Sequence, residues 1–329
     1  MSTFKHIGAK RFLRAAAVLL FAAVLTVSAT GGDVLAATLP AFDDVLSVSG
    51  AKRLSRRYDK DGYFLISRAV AKDKGLFGTV QNFYLTPETR TVDALDTFVH
   101  ESFHTYTRGV SNPTLEDKVG EKMNVYVGDK KGIEVTITPI FRSKKIVKIT
   151  PKRCRTSVRF ATYVKDTGET MLSDWDGIYG LLNEFGGYCW GLHDNNCLYA
   201  YRERFPDTED TWKSFAEEGE SDRLAYAEFK YYILQYLYYA KKYKPEVYEG
   251  IMDNEPFKEA YRQLEKRFAD EVSTYEKHLM EVKDKLDQAG GRTIDMEALR
   301  DSQPRKGYNV LVKEMKKDRY QQLQRELGE

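Results

Sequence analysis

The chain has 329 residues, 42% of them hydrophobic, with 51 basic and 49 acidic residues. That suffices for a large core in an enzyme-sized unit of two lobes. Four basic residues (Lys5, Lys10, Arg11, Arg14) and one acidic residue (Asp33) lie in residues 1–37; without them the net charge is about −1, and no Arg/Lys patch points to nucleic acid.

Residues 1–37 read as a secretory signal. A basic start ending at Arg14 is followed by an apolar run, Ala15–Val27, and by small residues that offer cleavage after Ala29 or near Ala36 and Ala37. The run is short for a membrane span, and nothing after it reads as one. The mature chain is therefore expected outside the cytoplasm, secreted, periplasmic or at the cell surface, and not membrane-spanning. A short helix is expected around Asp43–Arg56. Gly62–Val70 and Gly78–Leu85 are rich in aromatic and β-branched residues and read as strands, the second with an edge an extended peptide could pair with.

Thr91–Tyr106 then reads as a helix. Val92, Leu95, Val99, Phe103 and Tyr106 recur at steps of three and four, and Thr91, Asp93 and Asp96 suit its N-terminal turns. It carries His100, Glu101 and His104 in the spacing H-E-x-x-H. Residues four apart are offset by about 40° on a helix, so both imidazoles leave one face a turn apart. Two nitrogens held that way suit a tetrahedral zinc ion with a position left open, and Glu101, about 60° round from His104, has the placement of a general base.

Pro113–Val119 breaks the pattern. Four strands are expected next, Lys122–Val127, Ile133–Ile140, Lys144–Thr150 and Thr156–Val164, as a β-meander inserted at about residues 120–165. Ser173–Leu192 reads as a helix with Trp175, Ile178, Leu182, Phe185 and Cys189 on one side. Gly177, Gly180, Glu184, Gly187, Tyr188 and Gly191 gather on the other. Each helical Gly costs about 1 kcal/mol relative to Ala, which a close second backbone would offset. From Thr211 on the chain reads as helical, with a Tyr-rich stretch, Leu224–Tyr243, and a stripe from Phe257 to Leu286 that packs on the lobe or on a partner. Gly290-Gly291 ends that helix, and Val310–Leu327 forms the last. Of the three cysteines, Cys189 and Cys197 could bridge, or all three could be buried thiols.

His100-Glu101-Ser102-Phe103-His104, followed later by Leu182-Asn183-Glu184-Phe185-Gly186-Gly187-Tyr188 on a helix, resembles the gluzincins, zinc peptidases with two His from H-E-x-x-H and a Glu from a later helix. The resemblance implies an α+β fold. A zincin-like lobe (residues 38–193: sheet, H-E-x-x-H helix, β insert, Glu-bearing helix) would precede a mainly helical lobe (194–329). It implies Zn²⁺ held by His100, His104 and Glu184. The gap between His104 and Glu184 is longer than in the best-known members, Tyr188 stands where they often place an Asp, and their G-x-M-E-N aminopeptidase element is absent. The metzincin pattern fails, since Thr107 and Val110 fill its Gly and His places. Elimination also favours Glu184 as third ligand because glycines on its face let two helices approach; His193 follows, then Asp174 and Asp176. Tyr188 and His193 are candidate oxyanion donors, with ordinary packing as the other reading. The expected activity is hydrolysis of a polypeptide substrate. The alternative is a non-catalytic scaffold that binds a protein partner through its C-terminal helices.

Overall fold

The computed structural model describes residues 39–108, 118–155, 157–165, 172–289 and 302–329. The signal segment, the Pro113 break and the Gly290-Gly291 stop lie outside the described residues. Four helices come first: α1 (Val48–Tyr58), α2 (Lys60–Lys72), α3 (Leu76–Tyr84) and α4 (Thr91–Arg108). Ser47 caps α1 by accepting from the Gly50 amide at 3.0 Å, and Asp59 caps α2 by accepting from the Gly62 amide at 2.8 Å.

The two strands expected ahead of α4 are thus helices. Gly62–Val70 lies in α2, where Gly62, Leu65, Ile66 and Ala69 are the buried residues, a helical spacing. Gly78–Leu85 overlaps α3, which buries Leu76 and Val80 four apart. Aromatic and β-branched residues suggested strands there, but the cap and the three-and-four spacing decided the outcome. Among the described residues no strand precedes α4 in the chain, so the edge expected there for a peptide to pair with is not formed.

The expected four-stranded insert is one antiparallel hairpin, β1 (Lys122–Gly128) and β2 (Lys131–Thr136). Asp129 and Lys130 turn it with φ of 52° and 60°, the left-handed values of a tight hairpin turn. Lys144–Thr150 is mainly a 3₁₀ helix, Ser143–Lys148; Ser143, Ile146 and Thr150 are its buried side, again at steps of three and four. Thr156–Val164 gives way to a helical turn, Val158–Phe160, and a π turn, Ala161–Lys165, which bury Phe160 and Val164 one turn apart.

After a short turn, Leu172–Trp175, comes the central element, α5 (Gly177–Cys197). It packs against α4, α6 (Glu209–Tyr243) and α8 (Glu255–Ala289) at once. A helix surrounded on every side is buried all round, and α5 is: only Glu184, Tyr188, His193 and Cys197 escape full burial, and its polar Asn183, Asp194, Asn195 and Asn196 are buried with the rest. The chain closes with α7 (Pro245–Met252) before α8, and with α9 (Gln303–Met315) and α10 (Asp318–Leu327) after it. The single last helix expected over Val310–Leu327 is broken where Lys317 turns extended and starts α10. The long stripe of α8, Phe257 to Leu286, is buried in the molecule's own core, so it offers no partner surface. The fold is mainly helical with one two-stranded sheet, α+β in the broad sense. Among the described residues no helix is long and apolar enough to cross a membrane.

Candidate metal centre

The α4–α5 seam brings the histidines and Glu184 together. Glu184 Oε2 lies 3.8 Å from His100 Nε2 and 3.6 Å from His104 Nε2. The two imidazole rings are 4.6 Å apart between centroids. His100, Glu101 and His104 each place a ligand atom within 4.8 Å of the others. A tetrahedral ion with bonds near 2.0–2.1 Å sets its nitrogen and oxygen ligands about 3.3 Å apart. The observed separations exceed that by a few tenths of an ångström, within the reach of side-chain rotation.

Glycine makes the seam this close. A Cβ on Gly186 would stand 2.2 Å from the Phe103 ring, and one on Gly187 would stand 2.8 Å from His100 Nε2. Further along, a Cβ on Gly191 would meet the Asp96 carbonyl at 3.4 Å. The glycine face therefore receives two side chains and one stretch of backbone of α4, where the sequence suggested a backbone approach alone.

The surroundings keep the imidazoles uncharged. Side-chain exposure is 12% for His100, 20% for His104 and 15% for Glu184. Burial, with the nearby Arg159 guanidinium second, pushes His100 down to about 3. Burial pushes His104 down to about 4, against the pull of Glu184 and of Asn183. Burial raises the Glu184 carboxyl above its ordinary value, while His104, Arg108 and Arg159 oppose that rise. Two neutral rings with free lone pairs beside a buried carboxylate are the donor set of a divalent transition metal. His104 Nδ1 and Asn183 Oδ1 are both buried without a well-formed hydrogen bond, although Asn183 is close enough to favour the charged ring. The residues therefore fit a metal ion, without fixing which.

Tyr188 stands at this site. Its ring meets His100 edge-on at 4.5 Å, and its hydroxyl is 3.1 Å from that of Tyr163. Arg159 lies 4.6 Å above the Tyr188 ring, hydrogen-bonds to Ser221 at 2.6 Å and faces Glu228 at 3.5 Å. Arg159 and Tyr163 were not singled out from sequence because their segment read as a strand. Their four-residue spacing, together with that of Phe160 and Val164, was the helical signal present.

The other candidates go elsewhere. His193, nine residues beyond Glu184, leaves α5 on its opposite side and about 13 Å along the axis. It contacts Asp59 and Glu271 and does not join His100 and His104. Asp174 accepts from Arg142 Nε at 2.8 Å and from the Lys144 amide at 2.6 Å, and Asp176 is paired with Arg108. His278 stacks on Tyr199 at 4.0 Å. All three cysteines are free thiols. Cys189 and Cys197 sit two turns apart on one helix, about 12 Å in rise, too far for a bridge.

One turn past His104 a cleft of about 790 Å³ opens between α2, the end of α4 and β1. Arg68, Lys72, Arg108, Lys122 and Lys130 line it together with Phe64 and Tyr106. No protein-family model matches the chain, and neither does a curated protein or a solved structure.

Proposed function

We propose that the protein is an exported zinc peptidase of gluzincin type, with His100, His104 and Glu184 as metal ligands. The observation that carries this reading is the Glu184 carboxylate, drawn from a separate helix to within 3.8 Å of both imidazoles of H-E-x-x-H. Zinc, when bound, supplies Lewis acidity toward a water and the scissile carbonyl. Glu101 takes the proton from the attacking water and returns it to the departing amine. Tyr188 and Arg159 flank His100 and are the groups placed to orient the developing oxyanion. The basic cleft one turn along α4 from His104, lined by none of the site residues, is the surface proposed to take up the extended part of a polypeptide.

The H-E-x-x-H motif and the later Glu support this reading; the helices ahead of α4 mean that a zincin-type sheet does not. A non-catalytic scaffold is the weaker reading, since the α8 stripe that would bind a partner is internal. Full-length protein lacking only its signal tests both. Zinc content is measured beside digestion of a peptide library by wild type and Glu101→Gln. The expected result is bound zinc in both and loss of about 10²–10⁴-fold in hydrolysis in the variant. Equal hydrolysis by the two proteins removes Glu101 as the base, and no hydrolysis by either supports the scaffold.

A further inference from the structure

The opposite side of α5 holds a second group with metal-ligand chemistry. His193 Nε2 lies 3.3 Å from Asp59 Oδ1 and 3.6 Å from Cys197 Sγ. Asp59, His193 and Cys197 place one ligand atom each within 4.8 Å of the others. These separations can be compared with a tetrahedral zinc ion. Bonds of about 2.0–2.1 Å to nitrogen and oxygen and about 2.3 Å to sulfur set N and O about 3.3 Å apart, and N and S about 3.6 Å apart. Both edges agree. A hydrogen bond explains them less well, because one ring nitrogen has a single proton or lone pair and cannot serve a carboxylate and a thiol equally.

The second observation is a set of buried polar atoms short of donors. Asp59 is 1% exposed; its Oδ1 caps α2, and its Oδ2 accepts from no N–H or hydroxyl, its carboxyl neighbour being Asp194. A Cβ on Gly62 would stand 2.2 Å from that Oδ2, so the glycine leaves it its space. Asp194, fully buried against Asp59, receives no N–H or hydroxyl donor on either carboxyl oxygen and meets only the Asp59 carboxyl. Such atoms are costly to bury unless something satisfies them.

The far side of the ring is braced as it is in zinc proteins. His193 Nδ1 lies 2.7 Å from Glu271 Oε1, and Asn196 Nδ2 donates to Glu271 Oε2 at 2.8 Å. A carboxylate on the distal nitrogen fixes the tautomer and frees Nε2 for a metal.

We propose that Asp59, His193 and Cys197 form a second, structural site for a divalent transition-metal ion such as zinc, braced by Glu271. The sulfur and nitrogen donors select zinc-like ions over magnesium or calcium. Binding releases the thiol proton of Cys197 and, where the ring is protonated, one proton from His193. The ion ties the α1–α2 junction to the C-terminal half of α5, with α8 holding the ring through Glu271. The site uses none of the residues at the first centre and does not depend on the peptidase reading.

Cobalt(II) separates the two centres, because only the second has a sulfur ligand. The full mature chain is stripped with chelator and titrated with cobalt(II), as wild type, Cys197→Ser and His104→Ala. A thiolate-to-cobalt charge-transfer absorption in the near ultraviolet is expected in wild type and His104→Ala, and is expected to vanish in Cys197→Ser. Zinc content should fall by one ion per chain in Cys197→Ser. A wild type without that absorption overturns the proposal whatever the variants do, and so does a band of full strength in Cys197→Ser. Either result leaves the His100–His104–Glu184 reading untouched; metal lost in His104→Ala with the absorption retained supports that reading, whereas metal lost only in His104→Ala, with none lost in Cys197→Ser, overturns the second site.

Discussion

Helix α5 carries two polar windows in an otherwise buried cylinder, and they differ in kind. Glu184 and Tyr188, four apart, open toward α4; His193 and Cys197, four apart, open on the opposite side. In the first window two imidazoles are kept neutral by burial, with one carboxylate between them. In the second, one imidazole is gripped by carboxylates on both nitrogens, and its own burial is outweighed by Asp59, Cys197 and Glu271, which raise its pKa well above the ordinary value. Neutral rings with one carboxylate between them suit an ion with a free position for substrate. A ring braced at its distal nitrogen, with thiol and carboxylate at the other, suits an ion that holds helices together.

The largest test of this contrast is Glu184→Ala. It removes one of the three proposed ligands from the first window, so zinc at that centre and hydrolysis should both be lost, while the thiolate–cobalt absorption of the second stays. Zinc content and activity are measured on the same preparation; full zinc with full activity would show that Glu184 is no ligand. The glycines give a finer cut. Gly187→Ala pushes a methyl group toward His100 Nε2, at the mobile end of a side chain, so the fold should hold while metal affinity falls about 10–100-fold. Gly186→Ala drives the same methyl into the fully buried Phe103 ring and should cost about 1–3 kcal/mol of stability. Urea unfolding and zinc titration of both variants separate the two effects; equal losses of stability and affinity in the pair would undo the distinction.

The two windows also differ in how far the sequence announces them. His100, Glu101 and His104 share one helix, so their spacing alone places them on one face, and the glycines around Glu184 mark where a second helix must come close. His193 and Cys197 have the same four-residue spacing, but their partners Asp59 and Glu271 lie on other helices, at distances along the chain that no local pattern encodes. The misread strands have a related cause. Gly62–Val70 has strand-favouring residues, yet its fate was set by Asp59 capping the helix and by which residues the core accepted. Thr156–Val164 was misread likewise, which hid Arg159 and Tyr163.

A further substitution separates chemistry from packing within the first window. Tyr188→Phe keeps the ring against His100 and removes only the hydroxyl that meets Tyr163. If that hydroxyl turns to the oxyanion, kcat should fall about 10²–10³-fold with zinc content unchanged. An unchanged kcat assigns Tyr188 to packing and leaves Arg159 as the donor.

The smallest expected effect concerns a buried carboxyl group on the same seam. Asp96 lies one turn before His100 on α4, with Glu218, Asp222 and Asp93 as acidic neighbours and Arg202 as the nearby cation. Burial, partly offset by hydrogen bonding at Thr97, pushes Asp96 up to about 6. A raised carboxyl pKa means the folded protein keeps a proton that the unfolded chain has already released. The resulting stability is complete below the unfolded value near 3.8 and is lost as pH rises through about 6. Near pH 7 the charged Asp96 therefore costs up to about 3 kcal/mol, and the side chain's residual exposure brings the expected figure to about 1–2 kcal/mol. Asp96→Asn stays neutral at every pH and retains an oxygen for the Thr97 amide, so it should be more stable than wild type near pH 7 by about that amount. Most of the gain should disappear near pH 4, where wild type is protonated as well. Urea midpoints of both proteins at the two pH values decide it. A gain of equal size at both would mean that Asn packs better and that no proton is involved, and no gain near pH 7 would mean that Arg202 and solvent already hold the charge at little cost.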